Sequence, residues 1–385
     1  MNTLTARRLI TSDGAIDHPC IVLDSDGLIA SIESGPPNGS EDTLTPAFFD
    51  IHVHGAAGRD AMEGTAEALT GIGQFLATRG VAHFLATTVT APIDPTLRAL
   101  EGIANAIEAA NGDSIAPAAR PVGIHLEGPF LSHAKRGVHP PADIQPPSIP
   151  LFDRLQQAAR GHIRLITIAP EVPGALDLIQ HATRSGVRVS IGHSDATAAE
   201  ARASIAAGAR SATHTFNAMR RLDHRDPGIA AAVLDTEALY AELICDGIHV
   251  APEFVRLWLR AKGPDRAILV TDGISATGMP DGNYMLGSLE VTVANNRCLL
   301  AADLASGVET LAGSVLTMDR AVANLRAFTG APLASAVHLA SRNPARMLGL
   351  DRLAEIAPGQ PASFNVFSAD GALLRTILHG RAVPQ

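Results

Sequence analysis

The chain has 385 residues, enough for one long barrel with an appendage or for two domains. With 46% hydrophobic and 18% charged residues it is globular, and a net charge of −9 without a basic run excludes nucleic acid or an anionic membrane as its main partner. Three scattered cysteines, Cys20, Cys245 and Cys298, exclude a disulfide framework and fit reducing surroundings.

The N-terminus reaches Ser12-Asp13-Gly14 before an apolar core of signal-peptide length accumulates. No stretch attains the roughly 20 apolar residues of a membrane helix, and the longest candidate, 228–245, is interrupted by Asp235, Glu237 and Glu242. A cytoplasmic location is expected. Residues 1–45 read as short strands separated by turns at Ser12-Asp13-Gly14, Asp24-Ser25-Asp26-Gly27 and Gly35–Gly39. The tail has the same texture, with strands at 362–367 and 373–378 around Asp370-Gly371. Both ends are therefore expected to share a small β-sandwich, 1–45 plus 355–385, with a catalytic domain at 46–354 between them.

Within 46–354, eight short apolar strands are predicted at 47–53, 81–88, 121–127, 164–169, 187–192, 211–215, 239–245 and 267–271. Helical stretches lie between most of them: 65–79, 95–110, 173–185, 197–207 and 252–262. An open doubly wound sheet would stop near five or six strands, and no Gly-x-Gly-x-x-Gly follows the first strand. Eight alternations predict an α/β fold, a (β/α)8 TIM-type barrel.

Chemistry collects at the strand ends. Strand one ends in His52-Val53-His54, strand three in Glu127, strand five in His193, and strand six in His214. Strand seven leads into Asp246-Gly247-Ile248-His249, and strand eight ends in Asp272. In a barrel these ends converge on one mouth. His52 and His54, two apart on a strand, face the same way and can chelate one ion. Glu127, His193 and His214 offer a further position, and imidazole with carboxylate suits Zn²⁺, with Fe²⁺, Mn²⁺ or Co²⁺ as alternatives. Asp272 is the expected proton carrier, because a carboxylate beside a metal can take a proton from an attacking water and pass it to a leaving group. His125 shares the inward face with Glu127. His83, His162, His181, His338 and His379 fall on no shared rim and read as packing or surface groups. Ser314 reads as the N-cap of a helix over 315–327.

These residues also carry a resemblance. Pro46-Ala-Phe-Phe-Asp-Ile-His-Val-His-Gly55 resembles the opening motif of the amidohydrolase superfamily. Further motifs resemble the N-acetylglucosamine-6-phosphate deacetylases: Gly-Ile-His-Leu-Glu-Gly-Pro-Phe (123–130), Lys-Arg-Gly-Val-His (135–139), Gly-His-Ser (192–194), Thr-His-Thr-Phe-Asn-Ala-Met (213–219) and Asp-Gly-Ile-His (246–249), with Thr-Asp-Gly (271–273) and Leu-Ala-Gly-Ser (311–314) behind them. They run in family order across nearly the whole chain.

The resemblance implies a divalent metal at Glu127, His193 and His214, with Asp272 as general base and then acid. It implies that His139 polarises the acetyl carbonyl, that His249 contacts the sugar, and that Asn217 and Ala218 lie near the phosphate. Arg225 matches the family's phosphate-binding arginine, which in these homodimers reaches in from the neighbouring subunit. Some members replace the histidine pair and use one metal; this chain keeps His52 and His54, leaving room for a second ion beside Glu127 and Asp272. Members commonly carry Ala where this chain has Gly273, which is expected to loosen that loop. The implied activity is hydrolysis of the acetamide of N-acetyl-D-glucosamine 6-phosphate in amino-sugar metabolism. The rivals are a related acetylamino sugar phosphate such as the galactosamine analogue, a cyclic-amide hydrolase, disfavoured because no lysine stands at a strand end, and an inactive barrel scaffold.

Overall fold

The computed structural model describes residues 2–37, 39–110 and 117–384. Eight parallel strands lie side by side in chain order: Phe48–Val53, Val81–Thr88, Arg120–Glu127, Ile163–Ile168, Arg188–Ile191, Ser211–Ala212, Tyr240–Ile244 and Ala267–Val270. Most of their residues are buried, as expected of parallel strands with side chains or helices on both faces. The eighth strand returns to the first through a parallel bridge between Val53 and Gly273, and the Asp272 N–H donates to the His52 carbonyl at 2.8 Å. Asp50 reinforces this closure: its carboxylate takes the Thr271 hydroxyl at 2.5 Å and the Thr271 N–H at 3.4 Å. Burial raises the Asp50 carboxyl to about 6, those hydrogen bonds opposing the rise. Strand six is shorter than the predicted 211–215, because the chain turns at once into His214, whose φ of 28° is incompatible with extension.

The crossover helices are α1 (Ala66–Thr78), α2 (Ile93–Ala110), α3 (Ile149–Ala158), α4 (Ala175–Arg184), α5 (Ala198–Ala207), α6 (Ile229–Asp235) and α7 (Pro252–Arg266). Their starts follow local chemistry. Thr65 accepts from the Ala68 N–H, Ser148 caps α3, and Thr197 with Glu200 forms a reciprocal capping box on α5. The run predicted over 252–262 ends where expected, since Gly263 leaves helical geometry with φ 65° and Pro264 follows.

On α2 the buried stripe Leu100, Ile103, Ala104 and Ile107 has helical spacing. Gly102 lies against a neighbouring backbone: a Cβ there would stand 1.8 Å from the Gly64 carbonyl oxygen. Helix propensity alone favours alanine over glycine by about 1 kcal/mol, but the carbonyl cannot yield without moving the loop. Gly102→Ala is therefore expected to destabilise the chain by about 1–3 kcal/mol, seen as a lower denaturant midpoint at unchanged slope. A raised midpoint would refute the close approach.

Both chain ends meet in a separate β unit. Thr43–Pro46, which feeds the first barrel strand, pairs parallel with Arg8–Ile10 and antiparallel with Phe364–Phe367, itself paired with Leu373–Leu378. A second sheet of Asn2–Thr5, Pro19–Leu23 and Ile29–Ser34 joins it over a core that includes Leu9, Ile21, Leu23, Leu44 and Phe364.

Three further features depart from the sequence reading. Gly282–Leu286, Leu289–Ala294 and Arg297–Leu300 form an antiparallel sheet with its own core around Val291, Val293 and Cys298. The alternation in Leu289-Glu-Val-Thr-Val293 and the turn at Asn295-Asn296, both at positive φ, are its signal. The helix predicted over 315–327 runs Met318–Thr329, so Ser314 is not its cap. Ser314 instead extends the ladder beside strand eight: its N–H donates to the Asp272 carbonyl at 2.8 Å and its hydroxyl to the Thr271 carbonyl at 2.5 Å. Gly273 is also tied rather than loose, its carbonyl accepting from the N–H groups of His54 (2.8 Å) and Gly55 (3.0 Å).

Candidate metal centre

At the carboxyl ends of the barrel strands, Glu127 is the meeting point. Its Oε1 lies 3.1 Å from His214 Nε2, 3.2 Å from His193 Nε2 and 3.5 Å from His52 Nε2. Its Oε2 lies 3.4 Å from the Nε2 atoms of both His54 and His139. Asp272 Oδ1 stands 3.2 Å from His54 Nε2 and 3.4 Å from His52 Nε2. All seven side chains are buried. His193, His214 and Asp272 sit at φ 46°, 28° and 51°, a left-handed backbone that side chains rarely adopt and that surrounding bonds must hold.

Ring partners assign the nitrogens. A carbonyl only accepts, so the Nδ1 of His193 donates to the Lys135 carbonyl (3.0 Å) and that of His54 to the Thr87 carbonyl (3.2 Å). In its neutral form each ring therefore turns the Nε2 lone pair to the common space. His139 is the reverse: the Thr90 N–H donates into its Nδ1 at 3.3 Å, and the Thr90 hydroxyl lies 2.8 Å away. Its Nε2 then carries the proton. Two clusters fit a cation by distance, His52/His54/Asp272 and Glu127/His139/His193, with ligand atoms mutually within 4.8 Å. The proton on His139 Nε2 argues against His139 as a ligand, and His214 Nε2, 3.1 Å from His193 Nε2, is the better third member.

Electrostatics agree with a cation. Burial works against charge on His54, but Asp272 and Glu127 outweigh it and lift the ring to about 9. His52 is raised well above its ordinary value by the same carboxylates against the same burial. Burial, aided by His139, pushes His193 down to about 4. Burial alone would raise Glu127 and Asp272, yet the histidines, His52 foremost, hold both well below the usual carboxylate range. The carboxylates thus draw positive charge into the cluster, and His52 Nε2 is buried with no hydrogen-bond partner among the described residues. These donors suit a divalent ion.

A cavity of about 310 Å³ opens above the cluster. Asn217, Ala218 and His249 line one side, while Leu286, Glu309, Thr310 and Leu311, brought by the unanticipated sheet and its following loop, line another. His249 is oriented by Asp246, whose Oδ2 is 2.6 Å from His249 Nδ1. Arg225 is exposed on the loop between strand six and α6 and is absent from the cavity wall of its own chain. Within the Lys-Arg-Gly-Val-His motif, two residues bear on His193 through backbone: Lys135 by its carbonyl, and Gly137 by passing over the ring, where a Cβ would be 3.3 Å from Cε1.

His125 lies beneath the cluster, its Nε2 2.8 Å from the Thr167 hydroxyl and its ring edge-on to His52 at 4.5 Å. Burial lowers it well below its ordinary value, so it is a neutral packing and hydrogen-bonding group. His162 and His181 pair with surface carboxylates Glu108 and Asp153, and His338 with the Thr11 carbonyl. Sequence reasoning missed Asp50, Thr90 and Glu242, the last on Tyr240–Ile244 with its Oε2 3.3 Å from His52 Nδ1; the acids inside apolar strands were the one signal available.

A model of the amidohydrolase family matches residues 43–383. The chain belongs to the amidohydrolase family. It is 39% identical over 366 residues to an N-acetylgalactosamine-6-phosphate deacetylase of Escherichia coli O157:H7, covering 94% of each chain. With the N-acetylglucosamine-6-phosphate deacetylase of Bacillus subtilis (strain 168) it shares 35% identity over 97% of this chain and 94% of the relative. Among solved amidohydrolases, a mutant N-acetyl-D-glucosamine-6-phosphate deacetylase from Mycobacterium smegmatis in complex with N-acetyl-D-glucosamine-6-phosphate superposes with a TM-score of 0.92 at 34% identity, covering 100% of this chain and 99% of that one. Within the amidohydrolases, these relatives put the chain among the deacetylases of acetylamino sugar 6-phosphates. Among the described residues no helix is long and apolar enough to cross a membrane.

Proposed function

We propose that the chain hydrolyses the acetamide of N-acetyl-D-glucosamine 6-phosphate to D-glucosamine 6-phosphate and acetate. The observation that carries this reading is the convergence of Glu127, His193, His214 and Asp272 under a sugar-sized cavity, in a chain whose relatives deacetylate such sugars. Glu127, His193 and His214 would hold a divalent metal, Zn²⁺ by donor chemistry, with His52 and His54 available beside Asp272. When bound there, the metal supplies Lewis acidity toward the carbonyl and makes an adjacent water easier to deprotonate.

The protein groups then divide the work. Asp272 takes the proton of the attacking water and returns it to the leaving nitrogen. His139, protonated at Nε2 by the Thr90 arrangement, donates toward the oxygen that gains charge as the carbonyl becomes tetrahedral. His249, held by Asp246, meets a sugar hydroxyl, and Asn217 with the Ala218 backbone faces the phosphate end. Guanidinium is the group suited to that phosphate, and an acidic chain needs one locally. Arg225, exposed and outside its own cavity wall, would serve the neighbouring subunit of a homodimer.

Initial rates on N-acetylglucosamine with and without its 6-phosphate test this reading. Wild type is expected to prefer the phosphorylated sugar strongly, and Arg225→Ala to raise KM for it by about 10- to 100-fold, the loss of roughly 1.5–3 kcal/mol of charged hydrogen bonding. Equal rates on both sugars in wild type would overturn phosphate recognition. The 39% identity to an N-acetylgalactosamine-6-phosphate deacetylase favours a second reading, the galactosamine analogue; comparing kcat/KM on the two phosphosugars separates them.

A further inference from the structure

Glu171 lies beyond the carboxyl end of the fourth barrel strand, Ile163–Ile168, and the chemistry above leaves it unused. It is half-buried, and among the described residues both its oxygens meet the segment after His193 rather than a basic side chain. Its Oε2 accepts from the Ser194 hydroxyl at 2.7 Å and its Oε1 from the Asp195 N–H at 2.6 Å. Ser194 is fully buried and uses every polar atom. Its hydroxyl also accepts from the Ala196 N–H (3.0 Å), its N–H donates to the Ala218 carbonyl (3.0 Å), and its carbonyl accepts from the Arg220 N–H (2.9 Å). The turn bound by Glu171 thus lies between two strained neighbours. On one side is His193, left-handed at φ 46°, with its Nε2 3.2 Å from Glu127 Oε1. On the other is Ala218, left-handed at φ 49°, on the cavity wall assigned above to the phosphate end.

Glu171 is not a helix cap. The start of α5 is closed by Thr197 and Glu200, and α4 begins after Gly174 with no side-chain cap. A carboxylate that takes a hydroxyl and a backbone N–H binds both more strongly than a neutral acceptor does. A strained backbone persists only where its surroundings over-determine it. At His193 those surroundings are the Ser132 N–H on its carbonyl (3.0 Å), the Lys135 carbonyl on Nδ1 (3.0 Å) and, one residue on, Glu171. We propose that Glu171 is a positioning residue that locks the Ser194 turn and so fixes His193 and the Ala218 end of the cavity at one spacing. The metal side of the site is thereby matched to its phosphate side. The inference rests on the phosphosugar reading above, except for its part at His193, which needs no substrate.

Metal-depleted wild type, Glu171→Ala and Glu171→Gln are titrated calorimetrically with Zn²⁺ alone. Glucosamine 6-phosphate is then titrated into each at saturating Zn²⁺. Glu171→Ala is expected to bind Zn²⁺ about 10- to 100-fold more weakly, the usual effect of removing support from a metal-ligating histidine. It is expected to bind glucosamine 6-phosphate about 10-fold more weakly, because small displacements of a binding group are costly. Glu171→Gln, whose carbonyl oxygen still takes the Asp195 N–H, is expected to fall between wild type and Glu171→Ala in both titrations. Thr197→Ala, which removes the cap of α5 just beyond Ser194, is expected to lower the melting temperature and leave both affinities near wild type. Unchanged Zn²⁺ affinity in Glu171→Ala overturns the inference, as do equal losses in Thr197→Ala and Glu171→Ala. So does a loss of Zn²⁺ affinity with glucosamine 6-phosphate affinity intact, since the two ends are then not linked. Should Glu171→Ala fail to fold, Ser194→Ala carries the test: it deletes the hydroxyl on Oε2, and unchanged affinities there overturn the inference. If wild type binds Zn²⁺ but no glucosamine 6-phosphate, the proposed reaction fails, and the role of Glu171 at His193 is decided by Zn²⁺ alone.

Discussion

Asp272→Asn is expected to lower kcat by about 10²- to 10⁴-fold, the usual reach of a positioned general acid–base group, while metal at Glu127, His193 and His214 is retained. The amide has the size of the carboxylate and can still lie beside His52 and His54, but it cannot accept a proton from water or return one to the leaving nitrogen. Because the lost interaction operates only on the way to the transition state, kcat and kcat/KM should fall together and substrate affinity should change little. Asp272 is held in place by its backbone: its N–H donates to the His52 carbonyl, and its own carbonyl accepts from Ser314. The substitution therefore tests proton transfer rather than folding. Near-normal turnover with bound metal would remove Asp272 from its role.

Glu127→Gln should have the other large effect, on the metal itself. Five histidine nitrogens lie within 3.5 Å of the Glu127 oxygens, so one charge serves every candidate ligand set. Without it, the rings of His52, His54, His193 and His214 are left with Asp272 as the one carboxylate facing them, a weaker host for a divalent ion. Wild type in metal at about 1,000 times the dissociation constant should gain about 4 kcal/mol of stability; in the variant most of that gain should vanish. Thermal melts with and without chelator check it, alongside the metal count. A variant that holds stoichiometric metal and keeps its full metal-dependent shift in melting temperature would show that Glu127 is dispensable.

Much of this site is legible from local pattern. Alternation along Ile124-His125-Leu126-Glu127 and Ile51-His52-Val53-His54 assigns the side chains to faces, and the strand ends of a barrel must share a rim. What stays illegible is of three kinds. Strand six is cut to two residues because His214 takes a left-handed backbone, which no propensity announces. The sheet at 282–300 lies inside a region whose α/β rhythm dominates the reading, so its period-two pattern passes unnoticed although its following loop walls the cavity. Ser314 has the composition of a helix cap, yet tertiary pairing beside Asp272 claims its hydrogen bonds.

The sequence by itself determined the barrel, the strand ends and the inventory of metal-competent side chains, since these follow from periodicity and residue chemistry within a few positions. Only the tertiary structure decided that Nδ1 donates in His193 but accepts in His139, and that Asp50 and Glu242 take up hydrogen bonds from Thr271 and His52 rather than merely interrupting apolar strands. Those properties depend on partners such as Lys135, Thr90 and Thr271, far away in the chain. Hydrogen bonds between distant residues leave no trace in local pattern; the folded barrel creates them.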